Sequence, residues 1–553
     1  MKYSILTKTY QELEATTKRL EKTEIISELL KKTKDLEKVI YLLQGKVFPK
    51  WDERKTGISS RLVLKAINSA TGVSTNNLEK EWVKKGDLGI VVEEQIKKSK
   101  QTSLFKTKLT MDKVFDNIQK LAELEGKGTV TKKIQHIIEL LTSAEPEEAK
   151  YIVRTLIEDL RIGVKGGVIK DSIAKAFSKE SKEIEAAYNL TNDFAEVAIA
   201  AKDNKLKSLK MKTGKPINPM LAIRVESIKE AFKAVGTPAL VDQKLDGFRL
   251  QIHKKGDEIT LFTRRLENVT KQFEEILPTI RENIKLTECI LDSELVGYDP
   301  KTKKHLPFQT ISQRIRRKYD IEKSAEETPV EINLFDIISK DKESLLTMSQ
   351  KERRKVLEKV TKEETRKIVI TKKLITDSEK EVEQFYKKSL KDGHEGVMIK
   401  SIESEYVPGR RVGGWVKLKP TKENLDLVIL EAGWGEGKRS NWLASFTLAC
   451  RDKNNLLTIG KVGTGVAEKE AELTFEMLTN ELKPLIIEQK GKQVTLKPRI
   501  ILEIGYEEIQ RSPTYKSGFA LRFPKVIRLR KDLGFEDIDN LERVKKLHKS
   551  QIK

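Results

Sequence analysis

The chain has 553 residues, and its 107 Lys+Arg outnumber its 84 Asp+Glu to leave a formal charge of +23. At roughly 100–200 residues per domain this is material for three or four domains, with enough chain to build their cores without covalent staples. Only two cysteines, Cys289 and Cys450, are present, which excludes a disulfide scaffold and a Cys-rich zinc or iron–sulfur site. The five histidines fall at no metal-ligand spacing. No apolar run approaches the ~18 residues of a membrane span, and residues 1–14 lack a signal-peptide core. A soluble protein of a reducing interior is expected. The positive excess favours an anionic partner, with nucleic acid first and an anionic membrane surface second.

The chain opens helical. Val114, Phe115, Ile118, Leu121 and Ala122 recur at three- and four-residue steps, as do Ile134, Ile137, Ile138 and Leu141, and again Ile152, Thr155, Leu156 and Leu160. Residues 202–215 lose the apolar stripe, become Lys-rich and lead to Pro216 and Pro219, the composition of a linker. Beyond it the period changes to two. Phe248, Leu250 and Ile252 alternate with Arg249, Gln251 and His253, and the turn Lys255-Gly256-Asp257 leads to a second alternating run from Ile259, which predicts a hairpin. Short strands follow at 289–291, 330–334 and 397–399, with charged helical stretches such as 351–362 between them. This irregular mixture predicts an α+β domain with antiparallel sheets, not a doubly wound one. After Pro420, short strands from Leu425, Gly-rich turns at 433–437 and 460–465, a helix over 469–482 and a β run over 500–504 suit a small β-barrel carrying one helix. The expected plan is a helical domain over 1–213, a mixed domain over 214–420 and a β domain over 421–553.

A phosphate loop is the first chemistry to test. Gly433-Trp434-Gly435-Glu436-Gly437-Lys438-Arg439 comes close, but Ala432 stands at the first glycine position and Arg439 where a Ser or Thr would hold magnesium, so a hairpin turn is the better reading. Lys244-Leu245-Asp246-Gly247, at the entry to the hairpin, is more informative because of the ordered company it keeps. Arg264 and Arg265 follow it, then Asp292-Ser293-Glu294 and Leu334-Phe335-Asp336, each closing a strand. Glu395-Gly396-Val397-Met398-Ile399-Lys400 and Trp415-Val416-Lys417-Leu418-Lys419 complete the series. A lysine that attacks a phosphate must be neutral, and only about one free lysine in 2,500 is neutral at pH 7. Arg264, Lys417 and Lys419 would lower that cost by repelling the proton and would stabilise charge on the transferring phosphate. Glu294 and Glu395 are oxygen ligands suited to magnesium, and Phe335 offers a flat face to a purine.

This set resembles the covalent nucleotidyltransferases, the superfamily of ATP-dependent DNA ligases, RNA ligases and messenger-RNA capping enzymes. Three further segments are similar to the DNA ligase branch, and to its archaeal members most of all. They are Pro216-Ile217-Asn218-Pro219-Met220-Leu221-Ala222, the helical Leu160-Arg161-Ile162-Gly163-Val164 with Asp171-Ser172-Ile173-Ala174-Lys175-Ala176-Phe177, and Ala520-Leu521-Arg522-Phe523-Pro524 with Arg528-Leu529-Arg530. The resemblance implies an all-α N-terminal DNA-binding domain, an α+β adenylation domain and a C-terminal OB-fold barrel. It further implies an intracellular enzyme, associated with an archaeal nucleoid and acting as a monomer without a membrane. Such an enzyme seals nicked double-stranded DNA with ATP and Mg2+, for which Mn2+ can substitute. Lys244 becomes the nucleophile that carries AMP. Asp242 and Phe335 go to the adenine, Glu294 to the ribose or metal, and Glu395 to the metal. Arg249, Arg264, Arg411 (or Arg410 in its place), Lys417 and Lys419 go to phosphates. Two departures stand out, since Asp242 replaces the family's usual Glu and Leu533 its usual final-motif Lys, for which Lys531, Arg528 or Arg530 can substitute. An RNA ligase or capping-type enzyme would share Lys244 but not the helical domain, and a decayed DNA-binding protein would not keep the whole series.

One more segment carries a partner. Gln101-Thr102-Ser103-Leu104-Phe105 lies among Lys97, Lys98, Lys100, Lys106 and Lys108, and two adjacent apolar residues in so basic a loop need a place to go. Archaeal ligases are similar here and use such a segment to dock on a sliding clamp of the proliferating-cell-nuclear-antigen type. Gln101 would then anchor by hydrogen bonds while Leu104 and Phe105 fill an apolar pocket.

Overall fold

The computed structural model describes the chain except for residues 50, 99–107, 125, 127, 317–320, 410–413, 421–422, 436–438, 440, 469–470, 472 and 552–553. The segment from Tyr3–Ala15 to Phe194–Lys202 is helical, as its periodicity requires. Val114, Ile118 and Leu121 face one core together with Ile137, Leu141, Ile152 and Leu156. Polar residues set the helix starts. Thr110 accepts from the Lys113 N–H to open Met111–Glu123, and Ser59, Ser74 and Asp193 cap Ser60–Thr71, Thr75–Lys85 and Phe194–Lys202 in the same way. The helix Pro146–Leu156 stops short of the sequence pattern. Leu160 is buried, but in a loop where Glu158, Arg161 and Gly163 take positive φ.

The Lys-rich segment after Lys202 is a linker in composition only. Its end is fastened on both sides. Thr213 Oγ1 donates to Glu288 (2.8 Å), the Gly214 N–H to His253 Nδ1 (3.1 Å) and the Ile217 N–H to Gln251 (3.0 Å), while Asn192 Nδ2 donates to the Pro216 carbonyl (2.7 Å).

Two sheets follow. The first has five strands in the order Ile223–Val225, Trp415–Leu418, Gly396–Ser401, Ala239–Lys244, Lys373–Thr376. Its pairs are antiparallel except the first, which is parallel. Ala239, Val241, Val397, Ile399, Val416 and Leu418 point to one face and pack on the helices Ile228–Val235 and Glu379–Lys391. Period-two alternation therefore sends Asp242, Lys244, Met398, Lys400, Trp415 and Lys417 to the other face. The second sheet runs Glu258–Thr263, Phe248–Lys255, Glu288–Gly297, Val330–Lys340, Glu343–Ser344, with Ile368–Ile370 parallel to Val330–Lys340. Phe248, Leu250, Ile252, Leu291 and Leu295 fill its helix-covered core. Its opposite face meets the first sheet through Ile290, Ile338 and Phe335, packed with Trp415 and Met398. The hairpin forms in the register that the alternation implies, Lys255 opposite Glu258 across Gly256 at φ +59°. The strand-end positions expected for Asp292, Glu294, Phe335 and Asp336 are wrong. All four lie inside longer strands, because their polar faces are buried between the sheets and need not stop the ladder.

The chain groups into two compact units, 1–390 with 394–418, and 419–553 with 391–393. In the second, Leu425–Trp434 pairs along one edge with Leu443–Asp452, and along the other with Ile501–Gly505 at its start and Gln493–Leu496 at its end. The result is a seven-stranded sheet over a core that includes Leu427, Phe446, Leu448 and Leu502. No pairing among the described residues closes it into a ring. Gly433 and Gly460 belong to strands, not turns, and the helix opens at the Thr474 cap as Phe475–Leu482, later than the expected 469.

Candidate active site

Strand Ala239–Lys244 ends on Lys244, whose cross-strand partner is Gly396, and the Glu395 N–H donates to the Lys244 carbonyl at 2.8 Å. That pairing brings the two side chains together, with Lys244 Nζ 2.9 Å from Glu395 Oε2. The chain then turns through 245–247 into Phe248–Lys255. A Cβ on Gly247 would lie 2.4 Å from the Leu295 carbonyl oxygen and 3.0 Å from Glu294 Cγ, so glycine alone lets the turn lie flat on the neighbouring strand. Asp246 is pinned by the Phe308 N–H at 3.2 Å.

Lys244, Asp246, Glu294 and Glu395 thus form one charged group. Burial works to lower the Lys244 pKa, but Glu395, Glu294 and Asp246 outweigh it and hold the ammonium above its ordinary range. Burial, aided by Glu395 and Asp246, pushes Glu294 up to about 7 against the pull of Lys244 and Arg249. From sequence order, Arg264, Lys417 and Lys419 were the neighbours expected to depress the lysine. In the folded chain its neighbours are carboxylates, and it is protonated.

Behind the nucleophile the polar side chains are tied down. Asp242 is buried against Lys400 Nζ (2.5 Å), Arg354 Nη1 (3.4 Å) and Thr371 Oγ1 (3.4 Å). Arg249 makes a two-pronged pair with Asp292 (2.8 and 2.5 Å) and also donates to the Met220 carbonyl (2.6 Å) and Tyr406 Oη (3.1 Å). Its guanidinium lies 5.3 Å from the centre of the half-buried Phe335 ring, and Lys400 Nζ lies 5.1 Å from the same ring. Below, Asp336 and Arg353 form a fully buried pair at 2.8 Å. Arg354 and Arg353 were missed because they sit in a helix, Gln350–Val360, so charged that it reads as a solvated surface. Asp292 and Lys400 had a signal, since both lie within the motif series, and Tyr406 had none.

The remaining candidates are dispersed. Lys417 lies in register with Met398 and Asp242, on the site face of its sheet. Lys419 belongs to the other compact unit. Arg264 lines a cavity of about 470 Å3 that Lys244 does not line. Arg410 and Arg411, and the docking residues Gln101, Leu104 and Phe105, lie outside the described residues. Among the described residues no three His, Cys, Asp or Glu side chains are set to hold a metal by themselves, and no helix is long and apolar enough to cross a membrane.

Three family models match this chain: "DNA ligase N terminus" over residues 2–174, "ATP dependent DNA ligase domain" over 219–419 and "ATP dependent DNA ligase C terminal region" over 439–533. A protein named DNA ligase from Nanoarchaeum equitans is 48% identical over 560 residues, spanning 100% of this chain and 99% of its own length. Another from Thermococcus fumicolans is 42% identical, spanning 99% and 98%. A solved structure titled Pmar-Lig_PreS3 superposes with a TM-score of 0.59 at 18% identity over 95% of this chain and 99% of its own, a likeness of fold.

Proposed function

The chain belongs to the ATP-dependent DNA ligase family, and from that membership we propose that it seals nicks in duplex DNA, in replication, recombination and repair, by way of AMP carried on Lys244. The observation that carries the reading is the position of Lys244, at the end of a strand, a fifth exposed and held 2.9 Å from Glu395. Lys244 Nζ releases its proton to solvent and attacks the α-phosphate of ATP. The P–N bond forms as the α–β anhydride bond breaks and pyrophosphate departs. The 5′-phosphate of the nick then takes the AMP from Lys244, and the adjacent 3′-hydroxyl displaces AMP to form the phosphodiester. Each step needs positioning and charge neutralisation more than acid–base power.

Phe335 supplies the flat face for adenine, and Asp242, held by Lys400 and Arg354, fixes the pocket beside it. Arg264, Arg411 or Arg410, Lys417 and Lys419 serve phosphates. Arg249, which spans Asp292, Met220 and Tyr406, serves phosphates as well. Glu294 and Glu395 suit Mg2+, or Mn2+ in its place. Glu395 helps to raise the protonation of Glu294, which marks a surplus of negative charge, and Mg2+ is ordinarily held by one or two carboxylates plus substrate phosphates. When bound, that ion supplies positive charge beside the nucleophile and the transferring phosphate. The seven-stranded C-terminal sheet is read as an OB-fold, the domains as 1–213, 214–420 and 421–553, and the enzyme as a nucleoid-associated monomer that docks on a sliding clamp through Gln101, Leu104 and Phe105.

The test is incubation with α-labelled ATP, then nicked DNA or nicked RNA. Label should enter the protein, move to the 5′ end of nicked DNA and leave as AMP on sealing. Labelled protein that seals only RNA would overturn the reading.

A further inference from the structure

Between the two sheets, four residues close a ring of hydrogen bonds around one hydroxyl. Tyr406 Oη donates to Asp292 Oδ2 at 2.8 Å and accepts from Arg249 Nη2 and from the Met220 N–H, both at 3.1 Å. A hydroxyl has one hydrogen and two lone pairs, so this one is fully used. Burial, and after it Asp292, hold the phenol well above its ordinary pKa, which keeps that hydrogen in place. The members come from distant stretches of chain. Arg249 and Asp292 lie on paired strands of the second sheet, Met220 just ahead of Ile223–Val225, and Tyr406 between Gly396–Ser401 and Trp415–Leu418 of the first. The Tyr406 ring is buried and stands edge-on to Trp415, with 5.7 Å between centres.

Arg249 is the working end of this ring. A guanidinium has five N–H groups in a rigid planar fork. Nε and Nη2 are spent on Asp292, Nη2 again on Tyr406, and Nη1 once on the Met220 carbonyl. Among the described residues that leaves a single N–H, on Nη1. The Arg249 side chain is 15% exposed, while Asp292 and Tyr406 are buried. A buried ion pair is weak evidence for stability, because desolvation offsets its attraction. What the tethers do achieve is direction. Asp292 grips one edge of the fork, and Tyr406 with the Met220 carbonyl holds the far end, so the last donor has one heading.

We propose that Tyr406 is a positioning residue for lysine adenylation, its hydroxyl aiming the last N–H of Arg249 at the phosphates of ATP. This rests on the DNA-ligase reading above, in which Arg249 serves phosphates. Tyr406 makes and breaks no bond in the reaction. A donor that is already aimed needs no reorientation as charge builds on the transferring phosphate.

Single-turnover adenylation of the full-length chain tests it through a double-mutant cycle. At saturating ATP and magnesium, Tyr406→Phe should slow the step about tenfold, part of what a displacement on the order of 1 Å costs, with the KM for ATP changed less than about twofold. Arg249→Lys, which keeps a charge beside Asp292 but loses the fork, should slow it about 100-fold, as loss of an aimed donor does. The double variant should be no slower than Arg249→Lys alone, because Tyr406 acts through Arg249. Slowing that multiplies to about 1,000-fold would make the hydroxyl a separate support of the fold and overturn the proposal, as would a wild-type rate in Tyr406→Phe. Removing the hydroxyl strands three buried groups, so a second variant carries the test should that protein fail to fold. A tyrosine at 406 fluorinated on both carbons beside the hydroxyl keeps the ring and the O–H but makes the oxygen a poorer acceptor for Arg249. It should slow adenylation about threefold, the effect of weakening one bond to a charged group, and a full rate would overturn the proposal. A wild-type chain that takes no label from α-labelled ATP would instead sink the function itself, whatever the variants do.

Discussion

A methyl group on residue 247 would press against the Leu295 carbonyl at 2.4 Å, a contact that real side chains do not make. Gly247→Ala should therefore lift the turn that follows Lys244 and misplace the nucleophile. A shift on the order of 1 Å costs about 100-fold in such reactions. Single-turnover adenylation should fall by that much, while DNA binding, which does not use the turn, should hold. The lysine has its own signature. Its carboxylate neighbours raise its pKa above the ordinary value, so below that point the neutral fraction grows tenfold with each pH unit. Adenylation by the wild type should climb at close to that rate from pH 6 to 8, in pre-steady-state measurements at saturating ATP and magnesium. Lys244→Arg should form no adduct at any pH, because guanidinium stays protonated above pH ~12. A flat wild-type profile would show that substrate binding strips the proton before the step that is timed.

At the scale of elements, strand Phe248–Lys255 is buried on both faces, as are its sheet neighbours Glu288–Gly297 and Val330–Lys340. Its apolar residues enter one core, and Arg249, Gln251 and His253 enter the seam between the sheets and the strap over 213–217. Since His253 Nδ1 accepts from the Gly214 N–H, the proton is on Nε2, 2.8 Å from Gln251 Oε1, and the ring is neutral. Burial pushes its pKa down to about 3, below the ordinary ~6.5 of an unfolded chain. The folded pKa is the lower one, so the stability is present in full above pH ~6.5 and is lost as pH falls toward 3. Chemical unfolding of the wild type should therefore weaken between pH 6.5 and 4.5, by about 1.4 kcal/mol for each pH unit well below 6.5. In His253→Gln that part of the pH dependence should vanish, leaving a flatter curve. Equal slopes in both proteins would mean that other groups govern the acid limb.

For the whole molecule, the helical segment is the expected grip on DNA. Duplex binding should weaken with salt by about −0.9 in log K per log salt for each phosphate neutralised. Removing residues 1–213 should flatten that slope and depress sealing far more than lysine adenylation. Equal loss of both would show that the helical part supports the catalytic fold, a live alternative because Asn192 is bonded to Pro216 across the cut. The docking segment makes a separate claim. Leu104→Ala with Phe105→Ala should leave sealing at low salt intact but abolish clamp binding and clamp stimulation at higher salt. A buried Phe in such a pocket is worth on the order of 3–5 kcal/mol. If the double variant melts early instead, those side chains belong to the helical core.

The linear chain by itself determined the local features and their order. Three- and four-residue spacing at Val114–Leu121 makes a helix with one buried face wherever it packs, and alternation at 248–252 makes a strand, because each period is a property of the backbone. The ordered series from Lys244 to Lys419 was legible too, since spaced residue types survive without coordinates. What only the tertiary structure decided is which charges meet. Lys244 faces Glu395 because of a cross-strand register, and Glu294 because Gly247 permits close approach, and both relations span long stretches of chain. The same long-range packing turned Arg353 and Arg354 from apparent surface charges into buried partners of Asp336 and Asp242. It also gave the nucleophile carboxylate neighbours where sequence order suggested cations. A charge acts through its distance in space, and sequence separation does not measure that distance.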